Sequence, residues 1–154
     1  MFCWELGKGT TNMPVALAKD SIDVGIVVAD ADKALAFYRD LLGLELQNTV
    51  QMGDFITQYR LSCGASVVKL NVPSKAPPPM PPRTGPPLLG LTELGGIRYW
   101  TISVTNLDDV VEQVRAAGHA IALETVTSTV VPGLRIAIVE DPERNLVELV
   151  EMSA

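Results

Sequence analysis

The sequence predicts an α+β fold built from two β-α-β-β-β modules. Three observations carry that prediction: short apolar runs with strand-like alternation outnumber helical patterns, one strand-helix-strand-strand-strand plan occurs twice, and a proline-rich stretch separates the two occurrences. With 154 residues and 47% hydrophobic content, the chain can bury a real core as one structural domain.

The first module spans residues 21–72. "IDVGIVV" reads as a strand, and "DADKALAFYRDLLG" as a helix with Asp30 as N-cap and Gly43 as stop. Ala31, Ala34, Leu35, Tyr38, Leu41 and Leu42 recur at helical spacing and form the stripe that covers a sheet. "LELQNTV", "FITQYRLS" and "ASVVKLNV" follow as strands, with turns at Met52 to Asp54 and at Cys63-Gly64.

The second module, residues 97–154, repeats the plan. "IRYWTISV" is a strand; "TNLDDVVEQVRAAG" is a helix with Asn106 as cap, an apolar stripe at Leu107, Val110, Val111 and Val114, and Gly118 as stop. "AIALET", "LRIAIVED" and "NLVELVE" complete it as strands, with the turn "DPERN" between the last two. A shift of 76 positions lays "DVGIVVADADKA" over "YWTISVTNLDDV".

Between the modules, residues 73–96 hold eight of the eleven prolines. Such a stretch favours extended polyproline II and is read as a linker, either a plain connector or a rim draped over a cavity. Residues 1–20 form an N-terminal extension without the pattern of a secretory signal, so a cytoplasmic location is expected. A net charge of −6 with no basic cluster argues against nucleic-acid and membrane-surface partners and points to small molecules. Cys3 and Cys63 have neither metal-type nor redox spacing and are read as inert thiols.

The paired modules, the start "DVGIVVADADKALAFYRDLLGLEL" and the finish "LRIAIVEDPERNLVELVE" together resemble the vicinal oxygen chelate superfamily. That superfamily includes glyoxalase I, bleomycin-resistance proteins, extradiol dioxygenases and methylmalonyl-CoA epimerase. The resemblance, over residues 21–151, implies curved mixed sheets enclosing a cavity, a small-molecule ligand and a homodimer. It also implies a divalent metal held from the first and fourth strands of each module.

Carried over by position, those metal ligands are Asp23, Lys69, Tyr99 and Glu148, of which Glu148 alone matches the usual ligand type. Asp23 and Tyr99 stand where the family most often has histidine, and the sole histidine, His119, follows Gly118 as an expected exposed loop residue. An extradiol-type iron site or an imidazole-based zinc site is therefore not assembled. A hard cation on Asp23, Tyr99 and Glu148 is conceivable, but the Lys69 ammonium repels it. The expectation is no cofactor, with a divalent metal disfavoured.

The metal-free expectation gives each residue a role. Glu148 is the base, Lys69 polarises a substrate carbonyl, Tyr99 donates a hydrogen bond and Asp23 pairs with Lys69. The chemistry implied is isomerisation, epimerisation or elimination on a small carbonyl compound. Against it stands a non-catalytic antibiotic- or metabolite-binding protein of the bleomycin-resistance type, in which the same charges form only an internal salt-bridge network. Strand parity adds Thr101 and Ser103 beside Tyr99, and Asn71 beside Lys69, as substrate-binding candidates, with Trp100 packed beneath the helices. Tyr59 and Arg135, on middle strands, join them as ligand contacts. Met52, Phe55 and Met80 are candidates for cavity walls or for core packing.

Overall fold

The computed structural model describes residues 15–84, 91–93 and 95–153; Cys3 and much of the N-terminal extension lie outside them, as do parts of the linker. The first module comprises β1 (Val24–Val27), α1 (Ala31–Leu35) continuing as a π-helical stretch (Ala36–Leu41), β2 (Glu45–Met52), β3 (Ile56–Cys63) and β4 (Ser66–Pro73). The second comprises β5 (Tyr99–Ser103), α2 (Leu107–Ala116), β6 (Ile121–Thr127), β7 (Leu134–Glu140) and β8 (Leu146–Met152). Each module makes its own four-stranded mixed sheet, ordered β1-β4-β3-β2 and β5-β8-β7-β6, and neither closes into a barrel. The parallel pairs, β1 with β4 and β5 with β8, are the ones that need a crossover, which is why each module carries its helix after its first strand.

Local chemistry sets the helix ends. The Asp30 carboxylate accepts from the backbone N–H of Lys33 at 3.1 Å, and Gly43 stops the helix with φ +75°. The expected α-helix widens after Leu35: the N–H of Leu42 bonds to the carbonyl of Phe37, five residues back. Consecutive Phe37 and Tyr38 both enter the core at this wider turn and are completely buried. In α2 the expected Asn106 cap is absent: its side chain makes no capping bond. The N–H of Leu107 instead meets the carboxylate of Glu151 on β8 at 3.3 Å. No helix among the described residues is long and apolar enough to cross a membrane.

Strand alternation divides each sheet into two faces. Ile26, Leu61, Val68 and Leu70 point to the helix side in the first sheet, as do Ala137, Val139, Val147 and Leu149 in the second. With Leu107, Val111 and Val114 of α2 they form one core that runs through both modules. Trp100 and Ile102 pack against it, as parity predicted for Trp100. The opposite, open faces carry the polar residues of interest.

The modules meet where the first helix crosses to the second sheet. The Tyr38 hydroxyl donates to Asp141 Oδ2 at 2.6 Å, and the Tyr38 ring stacks on Trp100 with centroids 6.0 Å apart. Phe37 meets His119 edge-on at 4.8 Å, so His119 is half-buried at the seam rather than an exposed loop residue. Asp141, only 4% exposed, also accepts from the backbone N–H groups of Glu143 and Asn145 and from the Asn145 amide. Burial pushes the Asp141 carboxyl above the usual range, against the pull of these donors. Burial, reinforced by the Asp141 charge, pushes the Tyr38 phenol well above its ordinary value.

Replacing Tyr38 with Phe keeps the ring packing and removes one donor from a buried carboxylate. Urea unfolding is expected to show a loss of about 1–3 kcal/mol. Because folded Tyr38 keeps its proton where the unfolded chain releases it, the native state binds more protons above pH 10.0 and stability falls as pH rises there. The Tyr38→Phe variant is expected to show a shallower alkaline decline; an unchanged slope would remove this bond from the account of the seam.

Candidate functional site

β1 and β5 are the edge strands of their sheets, and both line one cleft of about 1060 Å³. Residues 22–27 form one bank and residues 97–100 the other, while Glu143, Asn145 and Leu146 line one end. Linker residues Pro77, Pro78, Met80, Pro81 and Pro82 also line it, so the extended linker is a wall of the cavity. Arg83 pins that wall to the second module: Nη2 donates to the carbonyl of Arg144 at 2.8 Å, and Nε lies 3.5 Å from Glu140. Ile22, Val27, Met80 and Ile97 line the cleft while exposed, an unusual gathering of apolar surface. Of the expected wall residues, Met80 lies there; Met52 and Phe55 are exposed at the β2–β3 turn, neither in this lining nor in the core.

On the first bank, Asp23 precedes β1 with its carboxylate held three ways. Oδ1 lies 2.5 Å from Lys19 Nζ and accepts from the backbone N–H of Val67 at 2.9 Å, and Oδ2 lies 3.2 Å from Lys69 Nζ. Lys19 above all, then Lys69 and the Val67 N–H, hold the Asp23 carboxyl well below the usual range, with partial desolvation working the other way. Such a carboxylate is a poor base at neutral pH. Lys19 was missed because it lies before the module as read from sequence; its spacing of four residues from Asp23 was the available signal.

Asn71 shares the face of Lys69 and accepts from the Gln58 amide at 2.7 Å, and Gln58 in turn accepts from Arg60 Nη1 at 3.2 Å. Gln58 and Arg60 were not singled out from sequence, although they alternate with buried Leu61 and core-packed Tyr59.

Tyr99, on the second bank, alternates along β5 with Thr101 and Ser103 on the open face, and all three are exposed; Thr101 and Ser103 lie beyond the cleft lining. Glu148 stands opposite Thr101 in register, and the Thr101 hydroxyl donates to Glu148 Oε2 at 2.5 Å. Ile138 flanks Glu148 on the other side. Asp23 and Tyr99 line the same cleft, but among the described residues no hydrogen bond or ion pair joins the Asp23–Lys69 pair to Glu148 or Tyr99. Of the four positions only Asp23 and Tyr99 line the cleft; Lys69 and Glu148 stand on the open sheet faces outside its lining, and only Asp23 and Lys69 touch.

Two expected ligand contacts are corrected. Arg135 shares the parity of Ala137 and Val139, which turns it to the helix side, where it binds Asp108 at 2.5 Å and Glu151 at 2.9 Å. Tyr59 lies opposite buried Leu70 and packs against the core. Neither faces the open side.

The family's divalent metal does not fit these donors. Among the described residues no three His, Cys, Asp or Glu side chains come together, and Asp23 is already held between two ammonium groups.

Comparison with known proteins agrees with the architecture. A search of curated proteins found no match. Among solved structures, a glyoxalase family protein from Bacillus cereus is 22% identical, with a TM-score of 0.69 over 90% of this chain and 100% of that one. The trypanothione-dependent glyoxalase I of Leishmania major is 19% identical, with a TM-score of 0.62 over 84% of each chain. TnmS3, an antibiotic binding protein from Streptomyces sp. CB03234, is 20% identical, with a TM-score of 0.62 over 90% of this chain and 100% of that one. At such identities the likeness is one of fold. The family profile described as the Glyoxalase/Bleomycin resistance protein/Dioxygenase superfamily matches residues 21–149, and the chain belongs to that superfamily.

Proposed function

We propose that the protein is a metal-independent acid/base enzyme, an isomerase, epimerase or lyase, acting on a small carbonyl compound that reaches from the cleft between β1 and β5 onto the open faces of the two sheets, where Lys69 and Glu148 stand. The observation that carries this reading is the contrast between two carboxylates. Asp23 is neutralised by Lys19 and Lys69, whereas Glu148, half-buried on the open face, has a hydroxyl partner and no ion pair among the described residues. Glu148 is therefore the carboxylate left to take a proton, with Thr101 orienting it. Lys69, positioned by Asp23, polarises the carbonyl, and Tyr99 donates a hydrogen bond from the opposite bank. Ser103 and Asn71 continue the polar open faces of the two sheets beyond the cleft lining.

The apolar lining favours a second reading, a non-catalytic binding protein for an antibiotic or metabolite, as the name of TnmS3 describes that protein. Under it, polar substitutions at Val27 or Ile97 abolish ligand capture, and Glu148 is dispensable. In either case the reading includes a cytoplasmic homodimer without nucleic-acid or membrane partners. Exposed Phe55 and Met152 at strand ends and Val130 in the β6–β7 loop are apolar surface for a second copy to cover.

Solvent-deuterium exchange separates the readings. The purified protein is incubated in deuterated buffer with a panel of 2-oxo acids and 2-hydroxy aldehydes, and incorporation beside the carbonyl is followed by NMR. Exchange is expected for at least one compound, and Glu148→Gln is expected to slow it by about 10²–10⁴-fold without unfolding the protein. Binding without exchange supports the binding-protein reading instead, and full exchange by the variant rejects Glu148 as the base. Dialysis against EDTA is expected to leave exchange unchanged, and elemental analysis is expected to find no stoichiometric metal; one divalent ion per chain would overturn the metal-free reading. Light scattering is expected to give twice the chain mass of 16.5 kDa.

A further inference from the structure

The open face of the first sheet carries more positive charge than its acids answer. Arg60 on β3 stands opposite Lys69 on β4, so both cationic side chains leave the sheet on the same side as direct cross-strand neighbours. Asp23 offsets Lys69 and is shared with Lys19. Arg60 has no such partner: among the described residues its side chain makes one hydrogen bond, from Nη1 to Gln58 Oε1 at 3.2 Å, and no ion pair. The carboxylate closest to it in register is Glu45, opposite Ser62, exposed and, among the described residues, without an ion pair.

The guanidinium is half-buried and aimed rather than loose. Gln58 accepts from Arg60 with its oxygen and donates to Asn71 with its nitrogen, which fixes the amide orientation and holds Nη1 in place. That leaves the other edge of the planar fork, with its N–H donors, for a ligand. Asn48, in register with Arg60, adds an amide on the same face.

We infer that Arg60 and Lys69 form an oxyanion subsite on the open face of the first sheet, taking a carboxylate or phosphate group carried by the ligand. A carboxylate or phosphate fits the guanidinium fork through parallel N–H···O bonds and relieves the like-charge pairing of Arg60 with Lys69. The inference rests on the proposed reading that this face meets the small-molecule ligand, and it narrows that ligand to an acidic one. In a chain of net charge −6, a local surplus of cations also favours approach of an anion to this face over others.

The test titrates ¹⁵N-labelled full-length protein with inorganic phosphate and, separately, with malonate, at constant ionic strength held by sodium chloride. The Arg60 Nε–H resonance is expected to shift saturably with one of them, and which one names the acid the subsite prefers. Arg60→Gln is expected to weaken that binding about 10- to 100-fold, Arg60→Lys to restore part of it, and Arg135→Gln to leave it unchanged. Circular dichroism confirms that the variants fold, as expected for a site outside the core. In the variants binding is read from the backbone amides of Lys69 and Asn71; shifts that track chloride alike, that fail to saturate, or that persist at those amides with unchanged affinity in Arg60→Gln overturn the subsite. Saturable phosphate or malonate binding at Arg60 in a protein that exchanges no deuterium would leave the subsite standing and reject the enzymatic reading alone.

Discussion

The hydrogen bond from Tyr38 to Asp141 is the constraint on which the placement of the site depends. A carboxylate this deeply buried is costly unless its oxygens are satisfied, and Asp141 meets four donors: Tyr38, two backbone N–H groups and the Asn145 amide. Three of those come from its own turn and make residues 141–145 a rigid knot, with Arg144 at φ +67°. The fourth comes from the other module. The same turn reaches the end of β1 through Glu143, whose carboxylate accepts from the N–H of Ala29 at 2.7 Å, and holds the linker through the carbonyl of Arg144. One turn thus receives the first strand, the first helix and the linker, and it fixes the two banks and the proline-rich wall around a common cleft.

Given that seam, strand parity decides which residues can act. Every second side chain of β1, β4, β5 and β8 is committed to the shared core, and the alternate ones remain on the open faces. Charges on the helix side are structural: Arg135 links Asp108 to Glu151, and Glu151 caps α2. Charges on the open side have fewer such duties: Asp23 ties Lys19 and the Val67 N–H to the start of β1, and Glu140 holds Arg83 of the linker. The open faces differ in sign, the first carrying Lys69 and Arg60, the second Glu148.

Much of the architecture was legible from local pattern. Alternation located all eight strands, and Asp30, Gly43 and the "DPERN" turn acted through contacts within a few residues of themselves. What could not be read depended on distant partners. Asn106 has the right chemistry for a cap, but a carboxylate 44 residues away serves the helix instead. His119 follows a helix stop, where exposure is the usual outcome, and is half-buried because Phe37 from the other module reaches it. The widening at Ala36–Leu41 follows from burial of two adjacent rings, a demand of the seam rather than of helix propensity. At the site, the family correspondence pointed to Asp23, Lys69 and Glu148 and strand parity to Thr101, and all four stand on the open faces. Tyr59 and Arg135 were misplaced although the same rule, applied from Leu61 and Ala137, puts them on the helix side. That rule also exposes Arg60, so the missed residue was within reach of the sequence.

The charge arrangement itself bears on how a ligand can lie. Arg60 and Lys69 face each other as like charges, a pairing that costs free energy unless an anion stands near both. Asp23 reaches Lys69, but Lys19 and the Val67 N–H draw it to the start of β1, away from the β3 side of the face. Compensation is thus partial for Lys69, which shares Asp23 with Lys19, and among the described residues absent for Arg60. On the second sheet the opposite holds: among the described residues Glu148 has a hydroxyl and an apolar neighbour, and no cation. A ligand with its acidic group on the first sheet and a carbonyl toward the second satisfies both imbalances at once. The reverse orientation sets acid against acid at Glu148 and leaves the Arg60 fork unfilled, so electrostatics alone select one way of binding.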